Sequence, residues 1–393
     1  MGLLQKKVFV GMSGGVDSSV ATLLLKEQGY NVVGVFIRSW DGLPTKGGVK
    51  FRDQCHWKED RRDAMRVAAK LGIPFLTYDF TEAYREEVIE YFFREYASGR
   101  TPNPDVVCNR EIKFKRFLER ALAEGADFVA TGHYARIGAV SHKPYAISNV
   151  GDRATSFELL QARDANKDQS YFLYTLGQHE LAHTLFPIGD YVKSEVRELA
   201  RQAGLPTADK PDSQGICFVG KVPVVEFLKA RLPEQPGAVV TVDGRVVGEH
   251  HGLPFYTIGQ RHGLRLSASL PYYVARKDHL LNTITVGQGN SDEALYRSDV
   301  CVGEVTWVNR RPVVGERLQA KIRYRQPSQK VTVDKSAVRE SATSSVTDNY
   351  SPIRTNKGIV WMFHFDKPQR AVTPGQSLVL YDGERVVGGG VIK

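Results

Sequence analysis

Two kinds of reactive group stand out along this 393-residue chain: a glycine-serine loop suited to phosphate, and cysteines set in polar loops. The loop is Ser13-Gly14-Gly15-Val16-Asp17-Ser18-Ser19. Its glycines let the backbone approach a charged group closely. The N–H groups of the loop, and of a helix after it, aim donors and a positive dipole end at an anion. The common nucleotide loop G-x-x-x-x-G-K-[ST] is a different pattern, because no Lys and Ser/Thr follow the last glycine here. Cys108 closes the stretch Arg100-Thr-Pro-Asn-Pro-Asp-Val-Val, whose prolines hold the chain extended until a helix begins near Arg110. A thiol just ahead of a helix N-terminus, with Arg110 and Lys113 nearby, has its thiolate stabilised. Cys217 ends a second polar, proline-punctuated loop that runs from Leu205 to Phe218. The other cysteines are Cys55 and Cys301; no C-x-x-C pair suggests structural zinc, and the adjacent Cys55-His56 is read as incidental.

The elements that must position these groups follow from periodicity. Val8 to Val10 reads as a buried strand and Val20, Leu23 and Leu24 recur with helical spacing, so the phosphate loop joins a strand to a helix. Asn31 to Ile37 and Ile73 to Phe80 read as parallel strands, with helical pattern over Lys58 to Leu71 between them, closed by Gly72. Trp40 to Trp57 reads as a surface loop. Thr81 to Ser98 reads as an amphipathic helix ending at Gly99. Asp127 to Thr131 is the next strand, with Gly132-His133-Tyr134 at the carboxyl end where open α/β sheets bind ligands. Strand-like runs surround Tyr145 and Leu159, a helix is expected to open at Lys167-Asp168-Gln169-Ser170-Tyr171-Phe172, and another spans Lys193 to Gly204.

From about Val222 short strands and tight turns take over, with hairpin signals at Asp243-Gly244 and Asp382-Gly383. Runs at Gln319 to Tyr324, Ile359 to Phe365 and Ser377 to Tyr381 suggest a small antiparallel barrel, and the Ser/Thr-rich Lys335 to Lys357 reads as a long loop. The expected organisation is an α/β, doubly wound parallel-sheet domain over 1–221, a small central β-rich domain over 222–292 and a C-terminal antiparallel β-barrel over 293–393. Apolar residues at 42% and charged residues at 25% are ordinary for a soluble globular protein, and no apolar run approaches the roughly 20 residues of a membrane span. The first strand follows Met1 within a few residues, leaving no room for a targeting segment, so the chain reads as cytoplasmic with no membrane partner. A net charge of +9 favours an acidic partner.

The phosphate loop resembles the SGGxDSS pyrophosphate loop of the ATP pyrophosphatases, which split ATP into AMP and pyrophosphate. Asn103-Pro104-Asp105 with Cys108, Gly132-His133-Tyr134, Lys167-Asp168-Gln169-Ser170, Gly215-Ile216-Cys217-Phe218 and Tyr324-Arg325-Gln326 follow in order. With them the chain resembles the tRNA-specific 2-thiouridylases over nearly its whole length. That resemblance implies adenylation of the C2 oxygen of a wobble uridine in tRNA, then its replacement by sulfur from a persulfide delivered by a sulfur carrier protein. It implies ATP bound by Gly11, Met12, Ser13, Gly14, Gly15, Val16, Asp17, Ser18 and Ser19, with Ile37 and Gly132 as adenine and ribose neighbours. Asp17 would help to place Mg2+.

By the same resemblance Cys217 carries the persulfide, and Cys108 either releases hydrosulfide from it or forms a disulfide with it after transfer. Asp105 would move a proton as the ring is activated. Asn103, Pro104 and Asp105 would contact the target base, His133 the RNA, and Lys167, Asp168 and Gln169 the tRNA. Tyr324, Arg325, Gln326 and Gln376 would hold the anticodon arm. Two other classes share parts of this pattern: an adenylating amidotransferase or ligase, which needs no paired cysteines, and an RNA-binding protein that keeps a nucleotide domain as scaffold.

Overall fold

The computed structural model describes residues 5–40, 42, 57–141, 155–211, 224–264, 266, 269–334, 353–355 and 358–393. Strand β1 (Lys7–Gly11) lies between β2 (Asn31–Arg38) and β4 (Phe128–Thr131), and β3 (Phe75–Asp79) flanks β2. Strands β5 (Arg136–Ser141) and β6 (Thr155–Leu160) leave this layer as a hairpin, and β7 (Thr184–Leu185) returns to it. The order is β3-β2-β1-β4-β7, with every pairing parallel. Continuous apolar β1 is what a central parallel strand requires: Val8 and Val10 are fully buried and Phe9 nearly so. Helix α1 (Val16–Glu27) turns Val20, Leu23 and Leu24 onto the sheet, beside α2 (Trp57–Leu71), which buries Ala64, Val67, Ala68 and Leu71.

Winding proceeds outward from β1 to β3 on one side and from β4 to β7 on the other. The loops after β1 and β4 therefore open at a topological switch point, where such sheets bind ligands. Gly11 and Thr131 stand side by side in register at that edge.

The central unit is a four-stranded sheet in the order β10-β11-β8-β9. Its strands are β8 (Gly237–Thr241), β9 (Val246–His250), β10 (Tyr272–Asp278) and β11 (Thr283–Gln288). Its Val239, Val274, Ile284 and Val286 share one apolar core with Phe92 and Phe93 of the helical stretch 81–97, with Phe227 and with Trp40. Trp40 is thus a core residue packed on Tyr84 and Phe227, not part of a surface loop.

The C-terminal strands are β12 (Tyr296–Trp307), β13 (Arg317–Lys321), β14 (Gln329–Asp334), β15 (Ile353–Thr355), β16 (Gly358–Arg370), β17 (Ser377–Asp382) and β18 (Arg385–Ile392). Neighbours run β12-β16-β14-β13-β17-β18, and β12 also pairs with β18, which closes an antiparallel barrel. Both hairpin signals are turns with positive φ at Gly244 and Gly383. Strand β15 pairs with β16 inside the stretch expected to be a loop; most of Lys335 to Lys357 lies outside the described residues, as does Tyr145. The β5–β6 hairpin joins the barrel sheet at Leu160 opposite Arg385, so the α/β and barrel units share a sheet.

Two further expectations are corrected. The helix expected near Arg110 begins at Pro104 and runs over 104–123, with a π-helical middle at Cys108–Arg116. Proline at the first helical position loses nothing, because its missing N–H would have no partner inside the helix anyway, and Asn103 accepts a hydrogen bond from the Val106 N–H as the cap. The helix expected to open at Lys167 is a single 3₁₀ turn, Ser170–Phe172, because the Asp168 carboxylate binds nearby backbone N–H groups instead.

Candidate active site

The glycine-serine loop spans 12–15 at the switch point. Gly14 has φ of +76°, and a side chain there would collide with the Asp60 backbone of α2. Gly15 caps α1 with no side-chain hydrogen bond, so the first turn presents its amides without a competing hydroxyl. Serines tie the loop down: the Ser13 N–H donates to Ser18 Oγ at 3.1 Å, and the Ser19 hydroxyl to the Gly15 carbonyl at 2.8 Å. Gly132, after β4, lies against the start of α1; a β-carbon on it would come within 2.6 Å of the Ser18 nitrogen.

Asp17 is the second residue of α1 and is partly exposed. The Lys193 ammonium donates to both of its carboxylate oxygens, at 2.6 and 2.8 Å, and the Tyr134 hydroxyl donates to one at 2.9 Å. Sequence reasoning missed Lys193: the helix was legible, but not that its first residue, in the stretch Lys193–Gln202, would reach α1. A second missed group is Lys210, bridging Asp60 and Asp63 at 2.8 and 2.7 Å, its ammonium pKa raised because those two hydrogen-bonded carboxylates outweigh burial. Thr207 donates to Ser19 Oγ at 2.9 Å. The chain leading toward Cys217 is therefore anchored on the phosphate loop. Gly215, Ile216, Cys217 and Phe218, like Cys55 and His56, lie outside the described residues.

The 104–123 helix carries Asp105 partly exposed and Cys108 buried at 5% exposure, in its second turn. Cys108 is therefore inside the helix and not ahead of its N-terminus. Lys113, on the same helix, reaches His133 Nε2 at 3.4 Å, while Thr131 meets His133 Nδ1 at 2.7 Å. His133 is enclosed between Phe114 and Phe186, and burial, with the Lys113 charge second, pushes its pKa well below the usual value. It is a neutral imidazole that ties the Cys108 helix to the end of β4.

The remaining candidates divide between brace and surface. Asp168 is buried and accepts from Gln161, from the Ala162 and Ser170 N–H groups, and from Lys321 of β13. Gln169 accepts from the Tyr134 N–H at 2.9 Å, fixing the loop after β4, and Lys167 is partly exposed beside them. Tyr324 packs on Phe172 with ring centres 4.6 Å apart, and exposed Arg325, at φ of +63°, lies over the Tyr324 ring. Gln326 gives its amide to Gln369, and Gln376 gives its amide to the Thr101 and Pro102 carbonyls. Ile37, near the end of β2, is partly buried, and Met12 is buried below the loop. Cys301 sits on β12, its thiol pKa raised by burial.

Fold and site together define an α/β enzyme domain with an anion cradle at its switch point, fused to two β units. Family profiles match in the same sequence: the tRNA methyl transferase HUP domain over residues 6–221, the tRNA methyl transferase PRC-barrel domain over 225–288 and the aminomethyltransferase beta-barrel domain over 353–392. The chain is 46% identical to the tRNA-specific 2-thiouridylase MnmA 2 of Geobacillus kaustophilus over 99% of this chain and 95% of that one. It is 46% identical to a Pseudomonas putida tRNA-specific 2-thiouridylase MnmA over 98% and 94%. The chain belongs to the tRNA-specific 2-thiouridylase family and is a sulfurtransferase. A solved 4-thiouridine synthetase–RNA complex with bound ATP aligns over 57% of this chain and 50% of that one, at 20% identity and a TM-score of 0.34.

Proposed function

We propose that the protein replaces the C2 oxygen of a wobble uridine in tRNA with sulfur, consuming ATP and releasing AMP and pyrophosphate. The observation that carries this reading is the shared edge of β4. Gly132 packs on the start of α1, where the phosphate loop ends, while its neighbour His133 meets Lys113 of the helix of Asp105 and Cys108, so the end of β4 joins the anion-binding turn to a thiol-bearing helix. An adenylating ligase for a small acid has no use for that second half.

A carbonyl oxygen is a poor leaving group. In the first step the uridine O2 attacks the α-phosphorus of ATP, the bond to pyrophosphate breaks, and the loop amides with Ser13 and Ser18 hold the departing charge. Asp105 takes the ring N3 proton or returns it. Asp17 would hold magnesium, which would supply positive charge against the departing pyrophosphate; the Lys193 partner of Asp17 marks a position that favours positive charge. Lys193 would then turn to the phosphates.

In the second step the terminal sulfur of a Cys217 persulfide reaches C2 and AMP leaves with the former O2. If the persulfide sulfur bonds to C2 directly, the Cys108 thiolate attacks the Cys217 sulfur and a Cys108–Cys217 disulfide forms; alternatively, Cys108 first frees hydrosulfide from Cys217, with the same disulfide as product. Either route needs an external reductant between turnovers and a persulfide donor, here a sulfur carrier protein. The domains act as units over 1–221, 222–292 and 293–393, in the cytoplasm. Tyr324 and Arg325 on the barrel offer a ring and a cation to RNA.

Purified protein given ATP, unmodified tRNA and a persulfide donor tests the reading. 2-Thiouridine in digested tRNA, with equimolar AMP, supports it. AMP production that needs a small carboxylic acid and ignores tRNA contradicts it, as does tRNA binding with no turnover.

A further inference from the structure

The catalytic helix is launched from a short strap, 99–102, at which all three units meet. Behind it, Arg100 forms a two-pronged pair with buried Glu95, at 2.6 and 2.8 Å. From the central unit, Thr257 Oγ1 meets Thr101 Oγ1 at 3.2 Å, and the His279 ring fills the space beside Gly99. From the barrel, the turn Pro374-Gly375-Gln376 closes over Thr101 and Pro102. The Thr101 N–H donates to the Pro374 carbonyl at 2.9 Å, and Gln376 Nε2 donates to the Thr101 and Pro102 carbonyls at 2.9 and 3.1 Å. Gly375 has φ of +92°, and a β-carbon there would sit 2.8–2.9 Å from the Thr101 backbone. The turn is itself fixed to the last strand, with Gly375 N–H on the Ile392 carbonyl and Ile392 N–H on the Gln376 carbonyl.

Asn103, the cap of the catalytic helix, is the next residue along. We propose that Gln376 and Gly375 are positioning residues: the barrel sets the start of the helix that carries Asp105 and Cys108, so a side chain about 270 residues downstream completes the active site without touching the reacting atoms. This rests on the sulfur-transfer reading above. Gln376 suits the role because its amide spans two consecutive carbonyls, which leaves both satisfied in a partly buried seam.

The test is single-turnover thiolation at saturating tRNA and ATP, with tRNA affinity measured in parallel. Gln376→Glu keeps the shape and sets a carboxylate against two carbonyls. It should slow turnover at saturating tRNA roughly 10- to 100-fold, the scale of a small misplacement of catalytic groups. Gly375→Ala, which removes no group that could touch RNA, should slow turnover alike with tRNA affinity within about threefold of the parent. The Gln376→Glu defect should shrink as pH falls, because a carboxyl pressed on carbonyls protonates above its usual range and can donate again.

Tenfold weaker tRNA binding with the saturated rate unchanged in Gln376→Glu would assign the side chain to RNA and overturn the proposal, as would two unchanged parameters. Should the parent protein transfer no sulfur at all, the sulfur-transfer reading fails by itself. The clasp is then judged by amide hydrogen exchange over 103–108 in the same two variants: faster exchange sustains it, and parental exchange refutes it.

Discussion

At the scale of single residues, the site turns on how charge is held before substrate arrives. Asp17 was legible as part of the loop, but Lys193, its ion-pair partner, lies 176 positions away and had no local signal. On the proposed reaction, Lys193 neutralises the half-buried Asp17 carboxylate before ATP binds and then turns to the phosphates. Lys193→Met should therefore slow pyrophosphate release by on the order of 100-fold while leaving tRNA affinity unchanged, and a pyrophosphate assay beside a tRNA titration checks both. His133 gives a second prediction, from its depressed pKa. Because the folded protein resists protonating it, the unfolded chain binds one more proton below pH 6.5, so its contribution to stability is full above that value and is lost as pH falls. His133→Gln should flatten the drop in thermal stability between about pH 7.5 and 5.5; an equally steep drop would remove His133 as its source.

At the scale of elements, the sequence was read well where hydrophobic period decided the matter and poorly where one capping side chain did. Continuous apolar runs identified β1, β2 and β4, and glycine marked helix ends at Gly72 and Gly99, both with positive φ. By sequence alone, Pro102 and Pro104 both read as helix breakers. Pro104 instead occupies the one helical position that tolerates it, a distinction that depends on Asn103 folding back to the Val106 N–H. Asn103→Ala should accordingly cost about 1 kcal/mol in denaturant unfolding and lower the thiolation rate more than it lowers ATP affinity. Asp168 misled for a related reason: it resembles a capping residue but spends its carboxylate on a buried junction with Lys321 of the barrel. The contacts of Gln376 were out of reach altogether, since they join residues 275 positions apart.

At the scale of the whole molecule, three units meet at the strap 99–102 that starts the helix of Asp105 and Cys108, and the chain carries a positive surplus. A net charge of +9 predicts that tRNA affinity falls at least tenfold between about 50 and 200 mM salt, by filter binding or anisotropy. A salt-independent affinity would mean that phosphate contacts contribute little. The succession of an α/β domain, a small β unit and a barrel was visible as a change of grammar near Val222, whereas the shared sheet from β6 to β18 was not, because one hairpin pairing leaves no trace in composition. On the proposed reaction two thiols, Cys108 and Cys217, act together on a uridine primed by ATP. The most direct measurement is 2-thiouridine formed per AMP released, by mass spectrometry of digested tRNA, in the parent and in Cys108→Ser, Cys217→Ser and Cys301→Ser. One thiouridine per AMP is expected in the parent and in Cys301→Ser, and none in the other two; parental thiouridine from Cys217→Ser would rule out the paired-thiol reaction.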